Sequence, residues 1–177
     1  MRLSSVGSVG TVSRQPRYEL PDGVFHIIAH SVFGHELFAD DQDRRAFLWL
    51  LGELTERFAI RCLAYCLMGT HYHLLVEGTT ADLGAAMQRL NGRYARRFNE
   101  RHERKGHLFA ERYAARVVAD ERQLEETYAY IEANPAKAGL CDAGEPWPWT
   151  WIESGGREDG RQGRVPVPRA EPHRQLQ

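Results

Sequence analysis

The amino-acid sequence predicts one α+β domain, a sandwich in which helices pack against a mainly antiparallel sheet. Apolar residues in the middle of the chain recur alternately at strand spacing and at helix spacing, so strands and helices alternate. Two strand-like runs are separated by only Gly69 and Thr70, which is typical of a hairpin and therefore of antiparallel pairing. The 177 residues suffice for one domain with a full core and are too few for two.

The first part of the predicted domain is a strand followed by a helix. Residues 23–32 are apolar, partly β-branched and preceded by a Pro-Asp-Gly turn, which predicts a strand. Residues 40–58 begin with aspartates that can cap a helix and carry apolar residues at helix spacing. These apolar residues are Phe47, Leu50, Leu51 and Leu54.

The predicted hairpin and a second helix come next. The hairpin strands span residues 59–68 and 71–77, and the helix spans residues 80–102. The helix carries one apolar face, formed by Leu83, Met87, Leu90, Tyr94 and Phe98.

A last strand and a third helix complete the predicted domain. Residues 111–120 are typical of a strand, and residues 120–135 predict a helix that Asp120 caps and Pro135 ends. The order strand, helix, hairpin, helix, strand, helix favours the α+β sandwich.

Both ends of the chain differ in composition from the middle. Residues 1–20 are rich in Ser, Gly and Val, and residues 154–177 are rich in Gly, Pro, Arg and Gln with few apolar side chains. Segments of this kind bury too little surface to offset the entropy lost on ordering. We therefore predict flexible tails on either side of a domain that spans residues 21–153.

The overall composition narrows the class of protein. The net charge is −1, so the whole-chain balance indicates no particular partner. The three cysteines form no CxxC pair, which argues against a disulfide framework. No apolar run is long enough for a signal peptide or a membrane span, so a cytoplasmic protein with no membrane partner is predicted.

Two histidines, His71 and His73, occupy alternate positions of an otherwise apolar predicted strand. Alternate side chains of a strand lie on the same face, about 7 Å apart along the backbone. Neutral imidazole is a common metal ligand, so the pair could bind one cation together with a third group. The alternative is two half-exposed histidines without a function, because so short a spacing often arises by chance.

The third predicted helix carries a tyrosine and an asparagine one turn apart. Tyr130 and Asn134 face the same side, with Cβ atoms about 6 Å apart. A phenol is a weak nucleophile at neutral pH unless its target is polarised or its proton is removed. A metal ion held by His71, His73 and Asn134 would polarise a phosphoryl oxygen, so the four residues are chemically complementary.

Four segments in series, together with the later WPWTW, carry a resemblance to a known family. The segments are HYH at 71–73, LNGRYARRFN at 90–99, GHLFAERY at 106–113 and YIEANPAKAGL at 130–140. In this order they resemble the HUH family of single-strand DNA nucleases. The resemblance is to the transposase-like branch, which includes REP-associated tyrosine transposases and IS200-like transposases, and it covers about residues 17–152.

The resemblance implies a fold and a set of site residues. The fold would be a ferredoxin-like (RRM-like) sandwich, a mainly antiparallel sheet with helices packed on one face. His71, His73 and Asn134 would hold Mg²⁺ or Mn²⁺, and Tyr130 would be the nucleophile. Members of the family cleave single-stranded DNA, typically beside a hairpin, and leave a 5′-phosphotyrosine and a free 3′-hydroxyl.

Other residues compete for the catalytic roles. Tyr94 lies on the apolar face of its helix, Tyr113 falls on a predicted strand, and Tyr128 faces away from Tyr130, so packing is the expected role of all three. Glu126 precedes Tyr130 by one turn and could assist proton removal, and the alternative is an exposed helix glutamate.

A basic stretch suggests a phosphate-bearing partner. Between positions 88 and 116 there are nine Lys or Arg residues against three Glu. Arginine binds phosphate through paired hydrogen bonds, so these residues are predicted to bind DNA, the alternative being a solvated helix face. They are Arg89, Arg93, Arg96, Arg97, Arg101, Arg104, Lys105, Arg112 and Arg116.

Aromatic side chains could add contacts to unpaired bases. Phe109 and the tryptophans Trp147, Trp149 and Trp151 are candidates for stacking, and the tryptophans alternatively cover the edge of the core. The other histidines, His26, His30, His35, His102 and His107, have no assigned role, and His107 is the one to examine for a position near DNA.

The sequence thus predicts a metal-dependent, transposase-like endonuclease and strand transferase acting on single-stranded or hairpin DNA. One alternative is a nucleic-acid-binding module without activity, and another is a metal phosphohydrolase in which water attacks and Tyr130 only packs. Whether the chain acts as a monomer or a homodimer stays open.

Overall fold

The computed structural model describes residues 22–153 and 165–167. Within them the chain forms five strands and three helices. In chain order these are β1 (Gly23–His30), α1 (Asp41–Arg57), β2 (Ile60–Leu67), β3 (His71–Gly78), α2 (Thr80–Arg101), β4 (Ala114–Val118), α3 (Glu121–Lys137) and β5 (Thr150–Ile152).

The five strands form one antiparallel sheet in the order β4-β1-β3-β2-β5. The predicted hairpin is β2 and β3, joined at Gly69 and Thr70, and β3 lies at the centre of the sheet. A bulge in β2 between Cys62 and Ala64 shifts the register, so that Leu63 and Ala64 both turn to the same face. The α+β class and the antiparallel sheet are therefore confirmed.

The helices α1 and α2 cover one face of the sheet. The side chain of Asp40 accepts hydrogen bonds from the first turn of α1, and Thr79 does the same for α2, so both helices begin at a capping residue. Their apolar stripes pack on Tyr72, Leu74 and Val76 of β3 to form the main core. Periodicity predicted the apolar face of each helix because burial at a helix–sheet contact requires that spacing.

Helix α3 packs on the opposite face, where the sequence led us to expect helices on one face only. Ile131 is fully buried against Cys66 and Leu75. The reason lies in the apolar residues that β2 and β3 also place on this face, because a sheet covered on the other face alone would expose Leu63, Cys66 and Leu75 to water. Burying a side chain such as Ile131 contributes about 1.5–3 kcal/mol, which stabilises α3 on this face.

The end of α3 also differs from its prediction. The helix continues through Pro135 to Lys137, and the N–H of Ala138 donates to the carbonyl of Asn134. Pro135 has no N–H to donate to the carbonyl of Ile131, and the helix ends two residues later, at Lys137. Asn134 is therefore inside the helix, where its side chain stays on the face of Tyr130.

The C-terminal part of the domain contains a strand that the sequence pattern did not indicate. The short strand β5 pairs with β2, and Trp149, just before it, is buried in the main core, while Trp147 and Trp151 pack against the core. The tryptophans thus cover the core edge, which was one of the two expectations for them.

The predicted tails lie outside the described residues, except for residues 165–167. There the hydroxyl of Tyr65 donates to the carbonyl of Pro166 at 2.6 Å, and Val165 packs on the core. No helix in the part of the chain that the structure describes is long and apolar enough to cross a membrane.

Candidate active site

Neighbouring strands β1 and β3 bring four histidines to the face of the sheet that α3 partly covers. The antiparallel register sets His30 directly opposite His71 and Ile28 opposite His73. Because alternate residues of a strand share a face, His26, two residues before Ile28, lies on the same face of β1. Four imidazoles are therefore adjacent on two paired strands.

The two sequence-predicted ligands, His71 and His73, lie side by side with their ring centroids 5.1 Å apart. His73 is almost fully buried, whereas His71 is partly exposed and stacks on the ring of His30 at 4.9 Å. Burial, together with the smaller effect of neighbouring imidazoles, lowers the pKa of His71 to about 4 and that of His73 to about 3. Both rings are consequently neutral near pH 7, with a nitrogen lone pair that can bind a cation.

His73 has a polar partner at each ring nitrogen. Its Nδ1 lies 3.0 Å from Nε2 of His26, and its Nε2 lies 3.3 Å from the amide nitrogen of Asn134. His26 was given no role from sequence, and the available signal was the alternation of His26, Ile28 and His30 on one face of β1. Only the pairing of β1 with β3 makes that signal meaningful.

Tyr130 extends from α3 toward these imidazoles. Its ring makes edge contacts with His73 at 5.6 Å and with His26 at 5.8 Å between centroids. Tyr130 is 43% exposed, which leaves it accessible to an incoming substrate. Two helical turns further on, the ammonium of Lys137 lies 5.5 Å from the centre of the Tyr130 ring.

The competing tyrosines lie elsewhere. The hydroxyl of buried Tyr94 donates to the carbonyl of Leu37 at 2.7 Å, and Tyr113 is also buried in the main core. Tyr128 packs beside the residues that bury Ile131. Glu126 is exposed and accepts a hydrogen bond from Arg122 at 2.6 Å, as expected of a solvated helix pair.

The donor set of this site is two imidazoles and one amide. A half-turn of the Asn134 side chain would exchange its nitrogen for its oxygen at the same point. Neutral imidazole nitrogens and an amide oxygen fit a divalent cation such as Mn²⁺ or Mg²⁺. Within residues 22–153 and 165–167, no set of three His, Cys, Asp or Glu is arranged to hold a metal, so the amide is needed to complete a three-ligand set.

The structure divides the predicted DNA-binding residues between the two faces of the molecule. Helix α2 packs through its apolar face, so Arg89, Arg93 and Arg96 lie on the far side from the histidines, where they line a surface cavity of about 420 Å³. Arg116 of β4 instead pairs in register with His26 and lies on the histidine face.

Several of these basic residues already have partners. Arg101 donates to Asp40 and to buried Asp43, each at 2.6 Å, and Arg93 forms an ion pair with Glu53 at 3.0 Å. Arg104 lies over the ring of Phe98. Arg97, Lys105 and Arg112 are exposed, and Arg112 also has an interaction partner within the protein.

Comparison with known proteins gives the class of this chain. The model of the family described as "Transposase IS200 like" matches residues 21–134, which is more than half of the sequence. The matched range includes His71, His73, Tyr130 and Asn134. The chain therefore belongs to the IS200-like transposases, a family of enzymes that act on DNA. None of the curated protein sequences matches it.

The fold is similar to that of several solved structures. One of them is a REP-associated tyrosine transposase bound to a REP hairpin, with a TM-score of 0.65 and 14% identity over 91% of this chain and 93% of that chain. At this identity the likeness establishes the fold, and the roles of individual residues depend on the geometry described above.

Proposed function

We propose that this chain is a metal-dependent endonuclease and strand transferase that cuts single-stranded DNA beside a hairpin and becomes joined to it. The observation that carries the proposal is the convergence of Tyr130, His71, His73 and Asn134 on one region. The two histidines come from the central strand β3, and Tyr130 and Asn134, more than fifty positions later in the sequence, come from helix α3. A phenol, two neutral imidazoles and an amide are the groups that a phosphoryl transfer to tyrosine requires.

In the proposed reaction the hydroxyl oxygen of Tyr130 attacks the scissile phosphorus. The new bond joins that oxygen to phosphorus, the bond from phosphorus to the 3′-oxygen breaks, and the proton lost by the phenol is balanced by one gained at the 3′-oxygen. The products are a 5′-phosphotyrosine and a 3′-hydroxyl, and the same bonds in reverse rejoin DNA. The exposure of Tyr130 supports access for the phosphate.

The cation site follows from the same residues. His71, His73 and Asn134 would hold Mg²⁺ or Mn²⁺, which when bound polarises a phosphoryl oxygen. The low pKa values of the two histidines support this assignment, because a protonated imidazole cannot be a ligand. Lys137, near the Tyr130 ring, is placed to attract the phosphate toward the phenol.

The proposed substrate is single-stranded DNA with an adjacent hairpin. A neighbour of the same fold is bound to a REP hairpin, which supports this class of substrate. Arg116 lies on the histidine face and could bind phosphates next to the scissile one, whereas Arg89, Arg93 and Arg96 could bind DNA only on the far side of the sheet.

The test is covalent capture of DNA. Hairpin oligonucleotides with randomised single-stranded flanks, labelled at the 3′ end, are incubated with the protein and Mn²⁺ and separated on a denaturing gel. We expect a labelled protein band that is absent with Tyr130→Phe and with chelator. Tyr128→Phe, a change of the same size on the same helix, is the matched control and should leave the band intact.

Two results would contradict the proposal. Cleavage that yields a free 5′-phosphate, undiminished in Tyr130→Phe, would indicate that water is the nucleophile. Salt-sensitive binding of hairpin DNA without any cleavage or adduct would indicate a nucleic-acid-binding module without activity.

A further inference from the structure

We infer that His26 is a positioning residue that fixes the ring and the tautomer of His73, so that the Nε2 lone pair of His73 is directed to the cation. The inference rests on the proposed function, because it concerns a ligand of the proposed metal site. It assigns a task to a buried side chain that the reaction itself does not use.

The first observation is the direct contact between the two imidazoles. Nε2 of His26 lies 3.0 Å from Nδ1 of His73, the ring centroids are 5.2 Å apart and the ring planes are inclined by 27°. Both side chains are buried, His26 at 9% and His73 at 2% exposure, so water does not compete for this hydrogen bond. A neutral imidazole has one N–H and one lone pair, so one ring must donate and the other accept.

The second observation selects the direction of that hydrogen bond. The amide nitrogen of Asn134 lies 3.3 Å from Nε2 of His73, and an amide N–H can donate there only to a lone pair. A cation bound at Nε2 needs the same lone pair whichever end of the amide faces it, and both requirements put the proton of His73 on Nδ1, from which it is donated to Nε2 of His26. The same arrangement leaves Nε2 of His73 as the atom available to a metal ion.

The position of His26 is itself fixed by the sheet. In register it lies opposite Leu75 on β3 and opposite Arg116 on β4, so the strand pairing holds its backbone from both sides. Its ring also contacts the edge of Tyr130, with centroids 5.8 Å apart. One side chain thus touches both a proposed ligand and the proposed nucleophile.

Physical chemistry gives the size of the expected effect. A metal-binding histidine is usually held by an acceptor at its other ring nitrogen, and loss of that acceptor weakens metal binding about 10- to 100-fold. Here the acceptor would be a neutral imidazole rather than the more common carboxylate or carbonyl.

The test uses Mn²⁺ binding to the full chain without DNA, measured by calorimetry, together with imidazole ¹⁵N chemical shifts of the metal-free protein. His26→Phe keeps the ring volume but removes the acceptor, and we expect Mn²⁺ affinity to fall about 10- to 100-fold. His26→Gln keeps an acceptor oxygen and should recover part of the loss. Ile28→Val, a small change on the same strand opposite His73, is the control and should bind Mn²⁺ like the parent.

The spectra decide the case even if a variant fails to fold. We expect the parent protein to have His73 protonated on Nδ1 and unprotonated on Nε2. The opposite tautomer overturns the inference, and so does parental Mn²⁺ affinity in folded His26→Phe. Neither result depends on the DNA adduct, so the inference can fail while the adduct assay succeeds, and the reverse.

Discussion

The two faces of the central sheet contrast in what they bury. On the face under α1 and α2, Tyr72, Leu74 and Val76 of β3 are enclosed by apolar side chains, and the hydroxyl of Tyr72 donates to Asn91 at 2.8 Å. On the other face the same strand presents His71 and His73, and α3 covers only part of them. One face is closed by two helices, whereas the other is a partly open site above buried imidazoles.

The contrast shows how a central strand supports a site without a separate scaffold. Alternation of side chains lets one backbone segment place core residues and candidate ligands in turn, so the packing of one face fixes the positions of the other. The cost is electrostatic, since burial disfavours the protonated form of His26, His71 and His73. The rings are thereby kept neutral, with a nitrogen lone pair that can bind a metal ion.

The largest expected effect comes from changing one face and not the other. His73→Ala removes a proposed ligand, and since metal polarisation contributes several kcal/mol, cleavage should fall by about 1,000-fold or more. Adduct formation is measured as initial rate at saturating Mn²⁺. Tyr72→Phe, the neighbouring residue on the core face, should instead cost about 1 kcal/mol of folding stability and leave the rate unchanged. An equal loss of rate in both variants would contradict the separation of the two faces.

Stability against pH tests the electrostatic part of the comparison. The pKa values of His26 and His71 are lowered to about 4 and that of His73 to about 3, from an ordinary value of 6.5. At a pH between the lowered values and 6.5, the unfolded chain binds more protons than the folded chain. The free energy of unfolding is therefore highest above pH 6.5 and falls as the pH decreases toward 4. The slope should be on the order of 1 kcal/mol per pH unit for a well-buried imidazole, and smaller for the partly exposed His71.

Urea unfolding at several pH values between 7 and 4.5 measures this slope. His73→Phe should reduce it, whereas His107→Gln, a change at an exposed loop histidine, is the control. Asp40 has a pKa lowered to about 2, chiefly by its hydrogen bond with Arg101, so the stability it contributes is lost only below its ordinary value of 3.8 and does not add to the slope between pH 7 and 4.5. A slope that is the same in the parent and in His73→Phe would show that the imidazole is not buried in the neutral form.

Much of this arrangement could be predicted from local spacing. The period-2 pattern of β3 separates the histidines from Tyr72 and Leu74, and the i, i+4 pair on α3 sets Tyr130 beside Asn134, because both depend only on the geometry of one element. The family resemblance, confirmed as IS200-like, joined the two elements into one candidate site.

The rest depends on how the elements are assembled. His26 precedes His73 by 47 positions and becomes its neighbour only through the register of β1 with β3. Helix α3 lies on the second face because Cys66 of β2 and Leu75 of β3 would otherwise be exposed to water there. This requirement arises only in the assembled sheet and cannot be seen in the pattern of any one strand or helix. The sequence likewise predicted the apolar face of α2 but not which face of the sheet this helix would cover. It therefore could not show that Arg89 lies on the far side of the sheet from the histidines and that Arg116 lies on the same side.

The smallest expected effect distinguishes basic residues that contact DNA from those that form ion pairs within the protein. Arg97 is exposed on α2, and if it contacts a phosphate, Arg97→Gln should reduce the slope of log affinity against log salt by about 0.7, the value for one phosphate on single-stranded DNA. The melting temperature of the Arg97→Gln variant should be unchanged.

Arg101, four residues along the same helix, is the control. It already donates to Asp40 and Asp43, so Arg101→Gln should lower the melting temperature and leave the salt slope nearly as it is. Fluorescence titration of hairpin DNA at several salt concentrations measures the slopes, and a larger slope change for Arg101→Gln than for Arg97→Gln would reverse these assignments.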